Sequence, residues 1–141
     1  MSRLTGELKM ITRCMRRFKD EKLAPYGIVS RQGELLLAIH RLADGSQDRL
    51  AEVLSINKSN VARHLAVLEE KGLVRRQPNP ADRRLTQVFL TPEAEALLPT
   101  LWEVNNQWAA FVTEGLSEAE QETLEALLGR ILAHLKGEDA T

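Results

Sequence analysis

Hydrogen-bond donors and cations concentrate between residues 58 and 84, where they could bind a polyanion. The first group lies on a stretch with helical spacing and consists of Lys58, Ser59, Asn60, Arg63 and His64. Asn can pair with adenine and Arg with guanine through two hydrogen bonds each, so this group has the chemistry to read base edges in a DNA groove. Acidic side chains enter this stretch only at its end, with Glu69 and Glu70.

A second basic group follows on a segment from residue 73 to residue 90, where the period changes from helical to strand-like. Its arginines are Arg75, Arg76, Arg83 and Arg84. The sequence predicts an antiparallel hairpin with strands at 73–76 and 86–90 and a basic, turn-forming loop between them. An Arg at such a tip can enter the narrow minor groove, where the potential is most negative. Asp82 is unsuited to phosphate contact, so we expect it to fix the loop or to orient Arg84 through an ion pair.

Three helical segments must position these groups. We expect Ser30 to cap the first, Ser46 or Gln47 to begin a short second one, and Asn57 to cap the third after a break. Gly72 stands where a left-handed residue ends a helix. The positions expected to face inward are Leu35, Leu36, Ile39, Leu42, Leu50, Ala51, Leu54, Val61, Leu65 and Leu68.

Helix, short helix, break, helix and hairpin is the order of a winged helix-turn-helix, whose third helix enters the major groove. Residues 54–90 carry seven basic and three acidic side chains, a net charge of +4, whereas the whole chain has a net charge of −1. This asymmetry favours a polyanionic partner, although a chance distribution of surface charge would look the same. An ordinary solvated helix, or a winged helix that binds protein without specific DNA binding, remains an alternative.

Long apolar stripes flank this unit and predict a dimer. Thr91-Pro92 begins one further helix, and Ser117 with Glu120 forms a capping box before the last. A lobe of about 60 residues cannot cover all these stripes, and a two-fold dimer is the commonest solution. The alternative is that the flanking helices pack on one another within one chain. The stripes consist of Leu4, Leu8, Ile11, Met15 and Phe18; Leu97, Leu101, Val104, Trp108 and Phe111; and Leu124, Leu127, Leu128, Ile131, Leu132 and Leu135.

Enzymatic and metal sites are not indicated. The three histidines are far apart, and no zinc-like spacing, Gly-rich phosphate loop or Ser-His-Asp arrangement occurs. We therefore expect neither an enzyme nor a cofactor nor a metal. The single cysteine, Cys14, cannot form an internal disulfide, and we expect it to be a buried structural thiol. No apolar stretch is long enough to cross a bilayer, so a cytoplasmic protein without membrane contact is expected.

The region from residue 46 to residue 91 resembles the MarR family of bacterial transcriptional regulators. The most specific motifs are Leu68-Glu69-x-Lys71-Gly72-Leu73-Val74-x-Arg76, then Asp82-x-Arg84 and Leu90-Thr91. Ala62 departs from the pattern, since relatives often have Ser or Thr there, and Gly33 lacks the larger side chain expected. The resemblance covers the whole chain in layout, and its motifs cover about a third of it.

The resemblance implies a mainly α-helical chain with a small antiparallel β-hairpin wing. Residues 1–141 would form a single domain, with the winged helix-turn-helix lobe at 30–91 and dimerisation helices at 1–24 and 92–136. A homodimer would bind a pseudo-palindromic, double-stranded operator as a repressor, with Asp82 and Arg84 as the wing pair. A small aromatic or phenolic anion would release it. The candidate residues for that effector are Arg17, Phe18, Tyr26, His40 and Trp102.

Overall fold

A computed structural model of the chain describes residues 2–42 and 44–137. The described residues are mainly helical and carry one two-stranded antiparallel sheet, as the sequence predicts. They divide into two compact units, one that ends at Asn105 and one that begins at Asn106. In chain order the elements are α1 (Ser2–Leu23), a 3-10 turn (Ala24–Tyr26), α2 (Ser30–Arg41), α3 (Gln47–Leu54), α4 (Lys58–Glu70), β1 (Val74–Pro78), β2 (Thr86–Leu90), α5 (Pro92–Val112) and α6 (Glu118–Leu135).

The core of the first unit is aliphatic and lies among α2, α3, α4 and the hairpin. The inward positions predicted for these helices are confirmed as buried, apart from Leu42 and Leu54, which are half-buried. α1, α2 and α5 approach closely at Gly33. A methyl group at this position would lie 3.3 Å from side-chain carbons of both Leu23 and Leu101. A larger side chain there would push these helices apart. The side chains with no exposed surface include Leu35, Leu36, Leu50, Leu65 and Leu68.

Two of the predicted helix caps fix the helix-turn-helix. The Ser46 hydroxyl accepts from the Arg49 backbone N–H at 3.1 Å at the start of α3. Asn57 Oδ1 accepts from the backbone N–H groups of Ser59 at 2.8 Å and Asn60 at 3.3 Å, which begins α4. Gly72, with a φ of +76°, follows α4 in the left-handed conformation that favours glycine. The local sequence therefore sets both the start and the end of α4.

The predicted cap of α2 is wrong. Val29 holds the N-cap position, and its backbone N–H donates to the Gln32 carboxamide oxygen at 3.1 Å. Ser30 is instead the first helical residue, and its backbone N–H donates to Asp20 Oδ1 at 2.7 Å. The residue predicted as the cap therefore contributes its backbone N–H, which a carboxylate of α1 accepts.

The hairpin joins the helical core at its base. Val74 pairs with Leu90 and Pro78 with Thr86, so β1 extends two residues beyond its predicted end. The Val88 backbone N–H donates to the Gly45 carbonyl at 2.9 Å, which attaches β2 to the segment before α3. The Thr91 hydroxyl donates to the Gly72 carbonyl at 2.7 Å, which closes the connection back to the end of α4.

Arg76 ties the hairpin to both helices of the helix-turn-helix. Its backbone N–H donates to Glu69 Oε2 at 3.2 Å, while its Nε and Nη2 donate to Glu69 Oε1 at 3.3 and 3.1 Å. Its Nη1 donates to Gln47 Oε1 at 3.0 Å. Since Glu69 lies on α4 and Gln47 on α3, one side chain sets the position of β1 against both helices.

Apolar side chains of the outer helices are exposed in the single chain. Leu4 on α1 is 63% exposed, and Leu135 on α6 is 73% exposed. The capping box predicted before α6 is confirmed: Ser117 N–H donates to Glu120 Oε1 at 2.9 Å, and Glu120 N–H donates to the Ser117 hydroxyl at 3.2 Å. α6 is therefore well capped although its apolar side chains remain open to solvent.

The Glu69–Arg76 contact gives a first prediction. Glu69→Ala removes the acceptor of three hydrogen bonds, so we expect the free energy of unfolding to fall by about 1 kcal/mol, since the pair is partly exposed. Glu70→Ala is the matched control, because it removes a carboxylate from the next residue of α4, which is also exposed. Urea unfolding at equal protein concentration measures both. Equal losses for the two variants would contradict the stabilising contact.

Candidate nucleic-acid interface

The N-terminal half of α4 presents polar and cationic side chains at the surface. Lys58, Ser59 and Arg63 are exposed and Asn60 is half-buried, while the opposite face of α4 is completely buried. The Ser59 hydroxyl donates to Asn57 Oδ1, the atom that caps the helix. Lys58 Nζ lies 3.6 Å from Asp48 Oδ2 in a loose pair with the lysine side chain 73% exposed. α4 thus has one face fixed by the core and one face available to a ligand.

His64 lies at the margin of that face, half-buried against α2. Its Nδ1 is 3.4 Å from Nε2 of Gln32, a side chain that is only 6% exposed. Burial lowers the pKa of His64 below its ordinary value, and the charges of Arg63 and Arg31 lower the pKa further. The surroundings of His64 therefore favour the uncharged form of its ring.

The wing tip is held in shape by its own hydrogen bonds. The Asn79 backbone N–H donates to the Leu85 carbonyl at 2.9 Å, and the Leu85 backbone N–H donates to the Asp82 carbonyl at 2.9 Å. Asn79 Oδ1 also accepts from the Ala81 backbone N–H at 2.8 Å. These bonds fold residues 79–85 into a compact turn that carries two arginines.

Asp82 orients Arg84, as the sequence predicts. Asp82 Oδ1 accepts from the Arg84 backbone N–H at 3.1 Å and from Nε at 3.0 Å, and Oδ2 accepts from Nη2 at 3.0 Å. These hydrogen bonds lower the pKa of Asp82 and raise the pKa of Arg84. The Arg84 side chain is nevertheless 88% exposed. Asp82 therefore fixes a guanidinium that still faces solvent.

The other two wing arginines have partners within the hairpin or the core. Arg75 stands across the ladder from Phe89, with its guanidinium carbon 5.2 Å from the ring centroid. Arg76 holds Glu69 and Gln47, and its side chain is only 24% exposed. The structure therefore separates the predicted basic set into exposed groups at the tip and on α4, and an internal clamp at Arg76. The sequence missed this clamp, because no local pattern pairs a residue at the end of α4 with one on β1.

The predicted effector residues come together only in part. His40 and Trp102 form an edge-to-face pair with ring centroids 5.6 Å apart. His40 also lines a cavity of about 340 Å³ at the base of the wing, together with Arg75, Phe89 and Glu95. The remaining three candidates lie on α1 or after it: Arg17 and Tyr26 are exposed, and Lys22 Nζ stands 5.5 Å from the Phe18 ring centroid. The His40 to Trp102 pair is thus the part of the prediction that the structure assembles.

The prediction of a buried Cys14 is wrong for the single chain. The thiol is free and exposed. Its neighbours on α1 from residue 3 to residue 13 are exposed as well, so the described chain places no cover over this part of the helix. Burial of this residue therefore depends on something other than the chain's own core.

The described residues contain neither a metal-binding cluster nor a membrane-spanning helix. Within 2–42 and 44–137, no group of three or more His, Cys, Asp and Glu side chains is arranged to hold a metal ion. In the same ranges, no helix combines the length and the apolar character that a membrane span requires.

Comparison with known proteins places this geometry in a family. The MarR family matches residues 28–86, from just before α2 to the start of β2. A cysteine-to-serine mutant of MarR from E. coli, solved in complex with operator DNA, is 32% identical with a TM-score of 0.82, over 92% of this chain and 93% of that one.

Two other solved structures are similar over nearly the whole length. A MarR transcriptional regulator from Methanosarcina mazei is 28% identical with a TM-score of 0.86, over 96% of this chain and 99% of that one. The S. aureus MepR–DNA complex is 25% identical with a TM-score of 0.82, over 92% of this chain and 96% of that one. Fold, motifs and sequence identity agree, and this chain belongs to the MarR family of winged-helix transcriptional regulators.

Proposed function

We propose that this chain is a sequence-specific DNA-binding repressor that acts as a homodimer on a pseudo-palindromic duplex. The observation that carries the proposal is that α4 has one buried face and one exposed polar face, next to a wing tip on which Asp82 orients the exposed Arg84. In a winged helix-turn-helix the third helix occupies the major groove, and in this chain it would bring Lys58, Ser59 and Arg63 against DNA. MarR from E. coli and MepR from S. aureus were both solved with DNA, which supports this role.

The two halves of the interface have different chemistry. Arg63 is exposed on α4 and can pair with the N7 and O6 atoms of guanine through two hydrogen bonds. Arg84 at the wing tip is an exposed guanidinium with five N–H donors, of which Asp82 uses Nε and one at Nη2. Because Asp82 already restricts its conformation, Arg84 loses less entropy when it contacts a phosphate or the minor groove.

The exposed outer helices support the homodimer. Leu4, Leu8 and Ile11 on α1 are 63%, 48% and 48% exposed, and contiguous apolar surface of this kind favours a partner. A second copy related by a two-fold axis would bury this surface and present two wings and two α4 helices, about one helical turn apart, to successive major grooves. Cys14 would then lie on a helix that the partner covers.

A small aromatic or phenolic anion would release the repressor by binding more tightly to the dimer that cannot bind DNA. The cavity beside His40 supports this step, because it touches α2, both strands of the wing and α5. A molecule seated there would contact the wing and the supporting helix at once. Benzoate is a suitable probe, and its addition should raise the Kd for DNA of the wild type. Unchanged affinity at saturating benzoate would reject this class of effector.

The wing assignment predicts the effect of Arg84→Ala. Loss of two phosphate contacts per dimer should weaken binding to all duplexes roughly tenfold and lower the slope of log K against log salt by about one to two. Arg3→Ala is a matched control, since Arg3 is also 88% exposed and paired with a carboxylate, but lies on α1. Fluorescence anisotropy over a salt series, on duplexes selected from random DNA, measures both. Identical slopes for wild type and Arg84→Ala would contradict the assignment.

The helix assignment predicts a different effect for Arg63→Ala. Losing a two-bond contact with a base should cost about 1–3 kcal/mol at one position of the operator and relax the preference there. Competition with single-base-pair variants of the selected duplex measures this. Arg84→Ala provides the contrast, because it should weaken all variants alike. If Arg63→Ala keeps the full preference at every position, α4 does not read sequence through this side chain.

A further inference from the structure

Gln32 connects the supporting helix α2 to α4 through both ends of its carboxamide. The side chain is 6% exposed. Its oxygen accepts from the Val29 backbone N–H at 3.1 Å, and its Nε2 lies 3.4 Å from His64 Nδ1. One buried amide therefore serves the start of α2 and the middle of α4 together.

These contacts determine where the His64 ring carries its proton. A backbone N–H only donates, so the Gln32 oxygen must face Val29 and the NH₂ group must face His64. The NH₂ group is itself a donor without an acceptor site, so His64 Nδ1 has to be the unprotonated acceptor. In the neutral imidazole the proton is then on Nε2.

The Nε2 atom of His64 is the ring nitrogen that Gln32 does not contact. Among the described residues, no buried side-chain nitrogen or oxygen is left without a hydrogen-bond partner. Nε2 makes no hydrogen bond to any residue within 2–42 and 44–137 and is not among the buried atoms without a partner, so it retains some accessible surface. The Nε2–H group is therefore a neutral donor at the surface of α4.

The surroundings of the ring disfavour its protonation. Burial has the largest effect on the pKa of His64, and the charges of Arg63 on α4 and Arg31 on α2 lower the pKa further. Arg31 is itself paired with Glu34 at 3.1 Å. Charged groups of the other elements against α4 are engaged elsewhere: Asp48 with Lys58, Arg49 with Glu52, Arg76 with Glu69, and Arg75 over the Phe89 ring. A protonated His64 would place Nδ1–H against an amide donor and a positive charge beside two guanidinium groups.

We propose that Gln32 is a positioning residue for α4: it holds His64 as the Nε2–H tautomer, and protonation of this ring breaks the link between α2 and α4. In the neutral ring, the Nε2–H group donates to an acceptor on duplex DNA. This last contact rests on the proposed function, whereas the tautomer and the link to α2 do not. The acceptor is either a phosphate oxygen or a purine edge, and the two give different selectivity.

Protonation of His64 also makes stability depend on pH. In the folded chain the pKa lies below the ordinary value of about 6.5, so the unfolded chain binds the proton more readily. The stability that the link contributes is therefore complete above pH 6.5 and is lost as the pH falls through the folded pKa. Acid should loosen α4 from α2.

Nitrogen-15 NMR of the imidazole groups in the full chain tests the tautomer, with the His64 signals identified by their loss in His64→Asn. We expect Nε2 protonated at pH 7.5 and a titration midpoint below 6.5. In Gln32→Glu the carboxylate still accepts from Val29 and now faces Nδ1, so the midpoint should rise by about one pH unit or more. A protonated Nδ1 in the wild type, or an unchanged midpoint in Gln32→Glu, would overturn the proposal.

Thermal unfolding between pH 7.5 and 5.5 tests the link without any Gln32 variant. His64→Asn replaces Nδ1 by an amide that can turn its oxygen toward Gln32, but it does not titrate, so its Tm should fall less than that of the wild type. His40→Asn is the control for the loss of a histidine: it removes the ring that packs on Trp102, so only the pH dependence of its Tm is compared, and it leaves the Gln32–His64 contact in place. It should keep the wild-type fall. An equal fall for His64→Asn and the wild type would refute the pH-sensitive link.

Anisotropy at pH 7.5 tests the outward donor. His64→Leu removes Nε2–H and leaves no donor in its place, whereas the NH₂ group of Asn could still donate, so the affinity of His64→Leu for the selected duplex should fall about fivefold or more. A fall shared by all duplexes indicates a phosphate acceptor, and a fall at one base pair indicates a purine edge. An unchanged Kd would refute the DNA contact. If the wild type binds no duplex, the proposed function fails together with this contact, while the NMR result still decides the tautomer.

Discussion

The burial of Val61, Leu65 and Leu68 on one side of α4 is the constraint on which the rest of the structure depends. All three side chains have no exposed surface. Because residues three and four apart share a face of a helix, burying this row turns Ser59 and Arg63 outward, while Lys58 is exposed as the first residue of α4. The rotation of α4 is thus fixed by hydrophobic packing, and the polar contacts refine a position that packing has already set.

The polar contacts act at the margins of this packed row. Asn57 caps α4 at its start, Gln32 holds His64 from α2, and Arg76 links Glu69 at its end to β1 and α3. Three different elements therefore fix one helix. The wing tip is built separately, since Asp82 and Asn79 hold it through bonds within residues 79–85. A rigid helix beside a locally ordered tip is a suitable arrangement for meeting two grooves of a duplex.

The sequence predicted what local chemistry determines. Asn57, Ser117 and the Asp82–Arg84 pair were all recognisable, since each partner lies within three residues. The predicted cap at Ser30 is wrong by one residue, because Gln32 meets the Val29 backbone N–H and Asp20 of another helix meets that of Ser30. The Arg76 clamp is not predicted, because Glu69 approaches it only after the chain turns at Gly72. The prediction that Cys14 is buried is wrong for the single chain. The apolar pattern of α1 predicts that one side of the helix is covered, but not whether the same chain or a second chain covers it.

The most direct test of the account is the mass and salt dependence of the complex with duplex DNA. Sedimentation of the full chain with a fluorescent duplex selected from random sequences should show two chains per duplex. The binding constant should fall steeply and linearly on a log–log plot as salt rises, because phosphate contacts release counterions. One chain per duplex, or no association in dilute buffer, would contradict a dimer that uses α4 and its wing to bind the double helix.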